Sequence, residues 1–144
     1  MIVYFDTSAL VPLLIDEPTS TTAARLWDEA DRVASSRLLY AEARAALARA
    51  LRLERLDTAE HQQAVFDLDG LVGDLDLVEV TGDLVRRAGA LADTAALRGY
   101  DAVHLAPAEL LNDTDLVLAA GDRQLRDAAR GLHITVAELE APES

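Results

Sequence analysis

Two acidic residues of this sequence follow apolar runs that are typical of buried strands. Asp6 follows Ile2–Phe5 in "MIVYFDTSAL". Asp122 lies just past Leu116–Ala120 in "LVLAAGDRQL". Ligands of an open parallel sheet bind where the strands end, so neighbouring strands would direct both carboxylates into one crevice. Either acid could instead only cap the helix that follows it, because aspartate is favoured at helix N-caps.

Two further acids, Glu42 and Asp101, lie in segments with helical periodicity. In "LLYAEARAALARAL" the neighbours of Glu42 at helical spacing are apolar, which makes an unpaired carboxylate costly there. Arg49, two turns on and nearly on the same face, could pair with Glu42 and give it a purely structural role. Asp101 begins "GYDAVHLAPAEL" and could be a helix cap, and His104, one turn later, is more typical of a packed helix residue than of a ligand.

Gathered in one place, these carboxylates would favour a divalent metal ion. Close carboxylates repel and raise each other's pKa, and a cation removes that cost. The sequence has no cysteine and three histidines, which disfavours zinc and leaves oxygen ligands, the preference of Mg²⁺, Mn²⁺ and Ca²⁺. Such an ion can generate hydroxide near neutral pH and stabilise the charge of phosphodiester cleavage. The residues alone leave both metal chemistry and simple caps and salt bridges open.

The elements that must position these acids alternate along the chain. Its 144 residues are 51% hydrophobic, which suits one globular domain with one core. Short apolar strands between helices predict an α/β fold, a three-layer α/β/α sandwich with a short central parallel sheet. We expect this domain to span residues 1–137 and a polar tail to occupy 138–144. The expected strands are Ile2–Phe5, Arg32–Ser35, Leu75–Val80, Leu116–Ala120 and His133–Val136, and the expected helices are about 7–14, 19–30, 38–56, 58–71, 82–97, 99–111 and 122–129.

The charge balance excludes several function classes. The formal net charge is −13, and all 13 basic residues are arginine. The absence of lysine excludes Schiff-base chemistry, a P-loop and the lysine of phospho-acceptor domains. The acidic excess also argues against holding nucleic acid by bulk electrostatics. The start lacks the basic residues of a signal peptide, and no apolar run approaches the ~18 residues of a membrane span, so we expect a cytoplasmic protein that does not enter membranes.

Arginine is therefore the cation available for phosphate contacts. Arg98, one turn before Asp101, and Arg123, beside Asp122, are the better candidates. The expected helix 38–56 and the residue before it carry a further arginine stripe that is more typical of a solvated face: Arg37, Arg44, Arg52 and Arg55.

Four segments resemble, in order and spacing, the acidic blocks of PIN-domain ribonucleases: "VYFDTSAL", "YAEARAAL", "LRGYDAVHLA" and "LVLAAGDRQL". The resemblance covers nearly the whole chain, and at this size it is to VapC-type toxins of bacterial and archaeal toxin–antitoxin pairs. It implies a PIN-like fold and a metal-dependent endoribonuclease that cleaves RNA phosphodiester bonds. The residues to which it assigns Mg²⁺ or Mn²⁺ are Asp6, Glu42, Asp101 and Asp122.

The resemblance also implies a supporting residue and partners. Ser8 would fix Asp6 or a metal-bound water. The implied partners are the RNA substrate, a cognate small antitoxin protein that inserts into the active-site groove, and a second copy of the chain in a homodimer. Ala120 departs from the family pattern, which often has threonine or serine two residues before the last acid, so a hydroxyl is missing there.

Other metal-dependent or phosphoryl-transfer sites on a similar sheet fit less well. A haloacid-dehalogenase-like phosphatase would carry a second aspartate where Ser8 stands, and an adhesion-type metal site would carry serine where Leu10 stands. The alternative that stays open is a non-catalytic α/β protein-interaction module whose acids are helix caps and salt bridges.

Overall fold

Five parallel strands form one sheet at the centre of this computed structural model, which describes residues 1–112 and 115–139. Along the chain they are β1 (Ile2–Phe5), β2 (Arg32–Ser36), β3 (Asp76–Val78), β4 (Leu116–Ala120) and β5 (Thr135–Glu138). Their order across the sheet is β3-β2-β1-β4-β5. Because the chain leaves β1 towards one edge and returns through β4 to build the other, the carboxyl ends of β1 and β4 form the crevice where such sheets bind ligands.

Helices connect the strands and cover both faces of the sheet. None of the helices in the described ranges combines the length and apolar character that a membrane crossing requires. Those ranges contain α1 (Thr7–Leu10) followed by a 3-10 helix (Val11–Leu13), α2 (Ser20–Glu29), α3 (Leu39–Arg52), α4 (Thr58–Asp74), α5 (Gly82–Ala95), α6 (Gly99–Leu111) and α7 (Arg123–Gly131).

The alternation of side chains along β1 divides the core into two layers. Val3 and Phe5 are buried on one face, against apolar residues of α1 to α4. Tyr4 is buried on the other face, with apolar residues of α5 to α7. A five-stranded parallel sheet flanked by helices on both faces confirms the predicted three-layer α/β/α architecture.

Several element boundaries differ from the prediction for local reasons. The first helix ends early and continues as a 3-10 turn with Pro12 near its start. Helix α3 stops at Arg52, because Glu54 adopts a left-handed φ of 58° and ends the helical path. His133 also has a left-handed φ, 61°, so it lies in a turn and not in the last strand.

The end of the chain differs from the expected polar tail at its first two residues. Glu138 belongs to β5 and pairs with β4, and Leu139 is buried in the core layer of α1 to α4. The remainder of the predicted tail, 140–144, lies outside the described residues. The limit of the domain at residue 137 stays a prediction.

Candidate active site

The carboxyl ends of β1 and β4 place Asp6 and Asp122 in the same crevice. The Asp6 backbone N–H donates to the Ala119 carbonyl at 3.0 Å, so the two strand ends are directly joined. Oδ2 of Asp6 accepts from the backbone N–H of Ser8 at 3.2 Å and from its hydroxyl. The Ser8 oxygen in turn accepts from the Gly121 N–H at 2.9 Å. Ser8 therefore fixes the Asp6 carboxylate and ties it to the loop that carries Asp122.

Asp122 serves both as a helix cap and as a member of the acidic group, the name used below for Asp6, Glu42, Asp101 and Asp122. Its Oδ1 accepts from the backbone N–H groups of Gln124 and Leu125 at 2.8 and 3.3 Å, which caps α7. Its Oδ2 accepts from Nη2 of Arg98 at 2.9 Å. The cap and the site hypotheses are thus compatible, because each uses a different oxygen.

Asp101 is the most deeply buried carboxylate of the group, with 3% of its side chain exposed. It is not the N-cap of α6, which is Arg98, so the cap interpretation of Asp101 is wrong. Its Oδ2 accepts from Nε of Arg98 at 3.0 Å. Burial raises the pKa of the Asp101 carboxyl, Arg98 opposes this, and the nearby charges of Asp122 and Asp6 raise it further. Three carboxylates therefore lie within electrostatic reach of one another.

Glu42 projects from the first turn of α3 towards the same crevice, with 27% of its side chain exposed. The salt bridge with Arg49 that the sequence left open is not made between these two described residues; Arg49 is exposed. Instead, Oε1 of Glu42 accepts from the Thr7 hydroxyl at 3.2 Å and lies 2.6 Å from Nε2 of His104. The carboxylate that looked costly in an apolar stripe thus has partners on α1 and α6.

His104 connects Glu42 to the first strand. The imidazole is buried, and its Nδ1 lies 3.1 Å from the Tyr4 hydroxyl and 3.6 Å from Oδ1 of Asp6. Burial alone would lower the pKa of His104, but the hydrogen bond with Glu42 and the charges of Asp6, Glu42 and Asp101 outweigh it and raise the pKa. His104 is therefore the structural centre of the acidic group, although the sequence suggested only a packed residue.

The two arginines expected near phosphate occupy different places. Arg98 bridges Asp101 and Asp122, and its guanidinium carbon lies 4.8 Å from the centre of the exposed Tyr100 ring. Arg123 is 86% exposed, and its ion pair is with Asp127 at 3.9 Å.

The predicted arginine stripe, of which Arg37 and Arg55 lie just outside α3, behaves largely as a solvated face. Arg37 pairs with Glu79, Arg55 pairs with Glu17, and these arginines are about half exposed. None of these contacts reaches the acidic group.

The donor set suits a hard divalent cation, because every acid offers carboxylate oxygens and Mg²⁺ commonly uses only one or two protein carboxylates. Asp101 and Asp122 already converge on a single cationic group, the Arg98 guanidinium. As the side chains stand in the described part of the chain, no three histidine, aspartate or glutamate residues surround one point as metal ligands. The group therefore fits an ion held by a pair of carboxylates.

Comparison with known proteins identifies the family of this chain. A protein-family model described as "PIN domain" matches residues 3–131. The chain is 44% identical over 141 residues to ribonuclease VapC49 of Mycobacterium tuberculosis strain H37Rv, an alignment that covers 96% of this chain and 98% of the relative. Among solved structures, PAE2754 from Pyrobaculum aerophilum superimposes with a TM-score of 0.68 at 24% identity, covering 94% of this chain and 92% of the other. A toxin–antitoxin complex from Klebsiella pneumoniae gives a TM-score of 0.65 at 20% identity, covering 96% and 98%. On this sequence similarity, the chain belongs to the PIN domain family.

Proposed function

We propose that this chain is a metal-dependent endoribonuclease and the toxin of a toxin–antitoxin pair. The observation that carries the proposal lies where β1 and β4 end: His104 links Asp6 with Glu42, and Arg98 links Asp101 with Asp122. The 44% identical relative is named a ribonuclease, which supports RNA as the substrate. An interaction module would have no need to bury Asp101 beside two other carboxylates.

In this proposal Asp101 and Asp122 would hold Mg²⁺ or Mn²⁺, with Asp6 and Glu42 completing the acidic group. Such an ion would lower the pKa of a water molecule and offset negative charge on the phosphate. Ser8 holds the Asp6 carboxylate in position, as its two contacts with Asp6 and its contact with Gly121 support.

His104 and Thr7 orient Glu42 in the same way. Both contact a single oxygen, Oε1, which leaves Oε2 of Glu42 available to a cation or a water molecule. Ala120 offers no hydroxyl beside Asp122, so a second ion would depend on the carboxylates alone.

The direct test is substitution of Asp101 by asparagine. We expect Asp101→Asn to lower Mn²⁺-dependent cleavage of RNA by at least about 100-fold, since even outer-shell changes at metal sites cost 10–100-fold. Unfolding measured in EDTA should show unchanged or increased stability, because the buried charge is removed while an oxygen remains to accept from Arg98. Mn²⁺ should raise the melting temperature of the parent protein and not that of the variant.

Asp57→Asn is the matched control. Asp57 caps α4 in a capping box, and its side chain and backbone contact Glu60 within that box. Because asparagine caps helices about as well as aspartate, this change should alter stability by less than about 0.5 kcal/mol and leave cleavage intact. Retained metal-dependent cleavage in Asp101→Asn, or a loss of stability without any metal effect, would instead support the interaction module.

We also propose partners for the enzyme. The structural similarity to a protein from a toxin–antitoxin complex supports a small antitoxin that covers the acidic crevice. The net charge of −13 favours a basic segment in that partner. A homodimer and action on RNA in the cytoplasm complete the proposal. Light scattering of the chain alone and with the protein encoded beside it would measure both assemblies.

A further inference from the structure

One arginine stands where a metal ion would balance the acidic group. Nε and Nη2 of the Arg98 guanidinium donate to Oδ2 of Asp101 and to Oδ2 of Asp122, at 3.0 and 2.9 Å. The two acids come from different elements, α6 and the loop after β4, and are joined through this single cation. The oxygens that Arg98 occupies are thus the ones that would face an ion bound by this pair.

Arg98 can leave these oxygens without a large structural change. Its side chain is 57% exposed, so the guanidinium can turn towards solvent without crossing a packed region. Its guanidinium also lies over the Tyr100 ring at 4.8 Å, a contact that does not require the carboxylates. The Arg98 side chain makes no helix-capping hydrogen bond at the start of α6.

We propose that Arg98 is an intramolecular cation that competes with the divalent metal for Asp101 and Asp122, and thereby sets the metal affinity of the free protein. The inference rests on the proposed metal-dependent function. A site whose competent form is populated only one-tenth of the time binds its ligand about tenfold more weakly than its intrinsic affinity. Removing the guanidinium should therefore strengthen metal binding by about that factor.

The experiment is a Mn²⁺ titration of the full chain without RNA. Binding is measured by calorimetry and by the electron paramagnetic resonance signal of free Mn²⁺. We expect Arg98→Gln to bind Mn²⁺ about tenfold more tightly than the parent protein. Arg98→Lys keeps a positive charge but cannot bond both carboxylates as a planar fork, so its affinity should lie between the two. A folded state is verified by circular dichroism, and the lysine variant provides a second reading should the glutamine variant be unstable.

Arg123→Gln is the matched control for charge. It removes the same charge next to Asp122, but its ion pair is with Asp127 and not with the acidic group. We expect a change in Mn²⁺ affinity of less than about twofold, as for an exposed charge screened by solvent. Equal strengthening in both glutamine variants would show a general charge effect and overturn the role of Arg98.

The outcomes separate this inference from the proposed function. In one outcome the parent protein binds Mn²⁺, Asp101→Asn abolishes that binding, and Arg98→Gln leaves it unchanged or weakens it. This outcome overturns the competition and keeps the metal site. No specific Mn²⁺ binding by the parent protein or by Arg98→Gln overturns both. Tighter binding confined to the Arg98 variants supports both.

Discussion

Replacement of His104 by leucine tests whether the buried imidazole holds the acidic group together. His104 contacts Tyr4 on β1, Glu42 on α3 and Thr7 on α1 while belonging to α6. Leucine has a similar volume and no polar atom, so His104→Leu removes these contacts with little cavity formation. His104→Gln keeps an N–H donor near the position of Nε2 and is the matched control.

The magnitude follows from the contacts that are lost. The 2.6 Å contact with the charged Glu42 is worth about 1.5–3 kcal/mol, and the 3.1 Å contact with the Tyr4 hydroxyl about 0.5–1.5 kcal/mol. We therefore expect His104→Leu to lower the free energy of unfolding by about 3 kcal/mol, and His104→Gln by about 1 kcal/mol. For a chain of this length, 3 kcal/mol corresponds to a fall in melting temperature of about 10 °C.

The assay is urea unfolding at pH 7 in EDTA, monitored by circular dichroism. A double-mutant cycle of His104→Leu with Glu42→Gln should give a coupling energy of about 1–2 kcal/mol, because the residues are in direct contact. Equal stability of the leucine and glutamine variants, or a coupling energy near zero, would refute the view that this contact stabilises the fold.

Two further predictions concern α5 and its end. Arg87 holds the pKa of the Glu109 carboxyl below its ordinary value, so their pair stabilises the fold above that ordinary pKa and stops doing so as the pH falls through the lowered value. Arg87→Gln should thus lower the melting temperature at pH 7 and match the parent protein in acid. Arg86→Gln, at an exposed site, should leave the melting temperature unchanged at both pH values. A fall in melting temperature of Arg87→Gln that does not depend on pH would contradict this. Ala96 ends α5 with a left-handed φ of 52°, so Ala96→Gly should raise the free energy of unfolding by about 0.5–1 kcal/mol, while Ala95→Gly in the helix should lower it; a loss of stability in both would contradict the strain argument.

The strand ends were the part of the site that the sequence could predict. Asp6 and Asp122 each follow an apolar run, which places both acids at the carboxyl ends of strands. Parallel strands have these ends at the same edge of the sheet. Residue spacing also singled out Glu42 and Asp101 but left each with a structural explanation, and the family resemblance favoured a site. The metal and its ligand set stay proposals.

The partners of these acids could not be predicted, because they depend on contacts between distant segments. His104 meets Glu42 across 62 positions of the chain, and Arg98 meets Asp122 across 24. The nearby arginine that the sequence offered to Glu42, Arg49, is exposed and makes no ion pair with it. Left-handed residues such as His133 also carry no reliable signal, since only the surrounding packing imposes that conformation.

The pairing of β4 with β1 has a consequence for the newly made chain. Asp6 lies at the end of β1, but β4, the strand that seats Asp122 beside it, is synthesised much later along the chain. A growing polypeptide therefore cannot assemble the acidic group until β4 and Asp122 have been made and β4 has paired with β1. On the proposed function, earlier nascent chains would be inactive, because nuclease activity begins only with this long-range pairing.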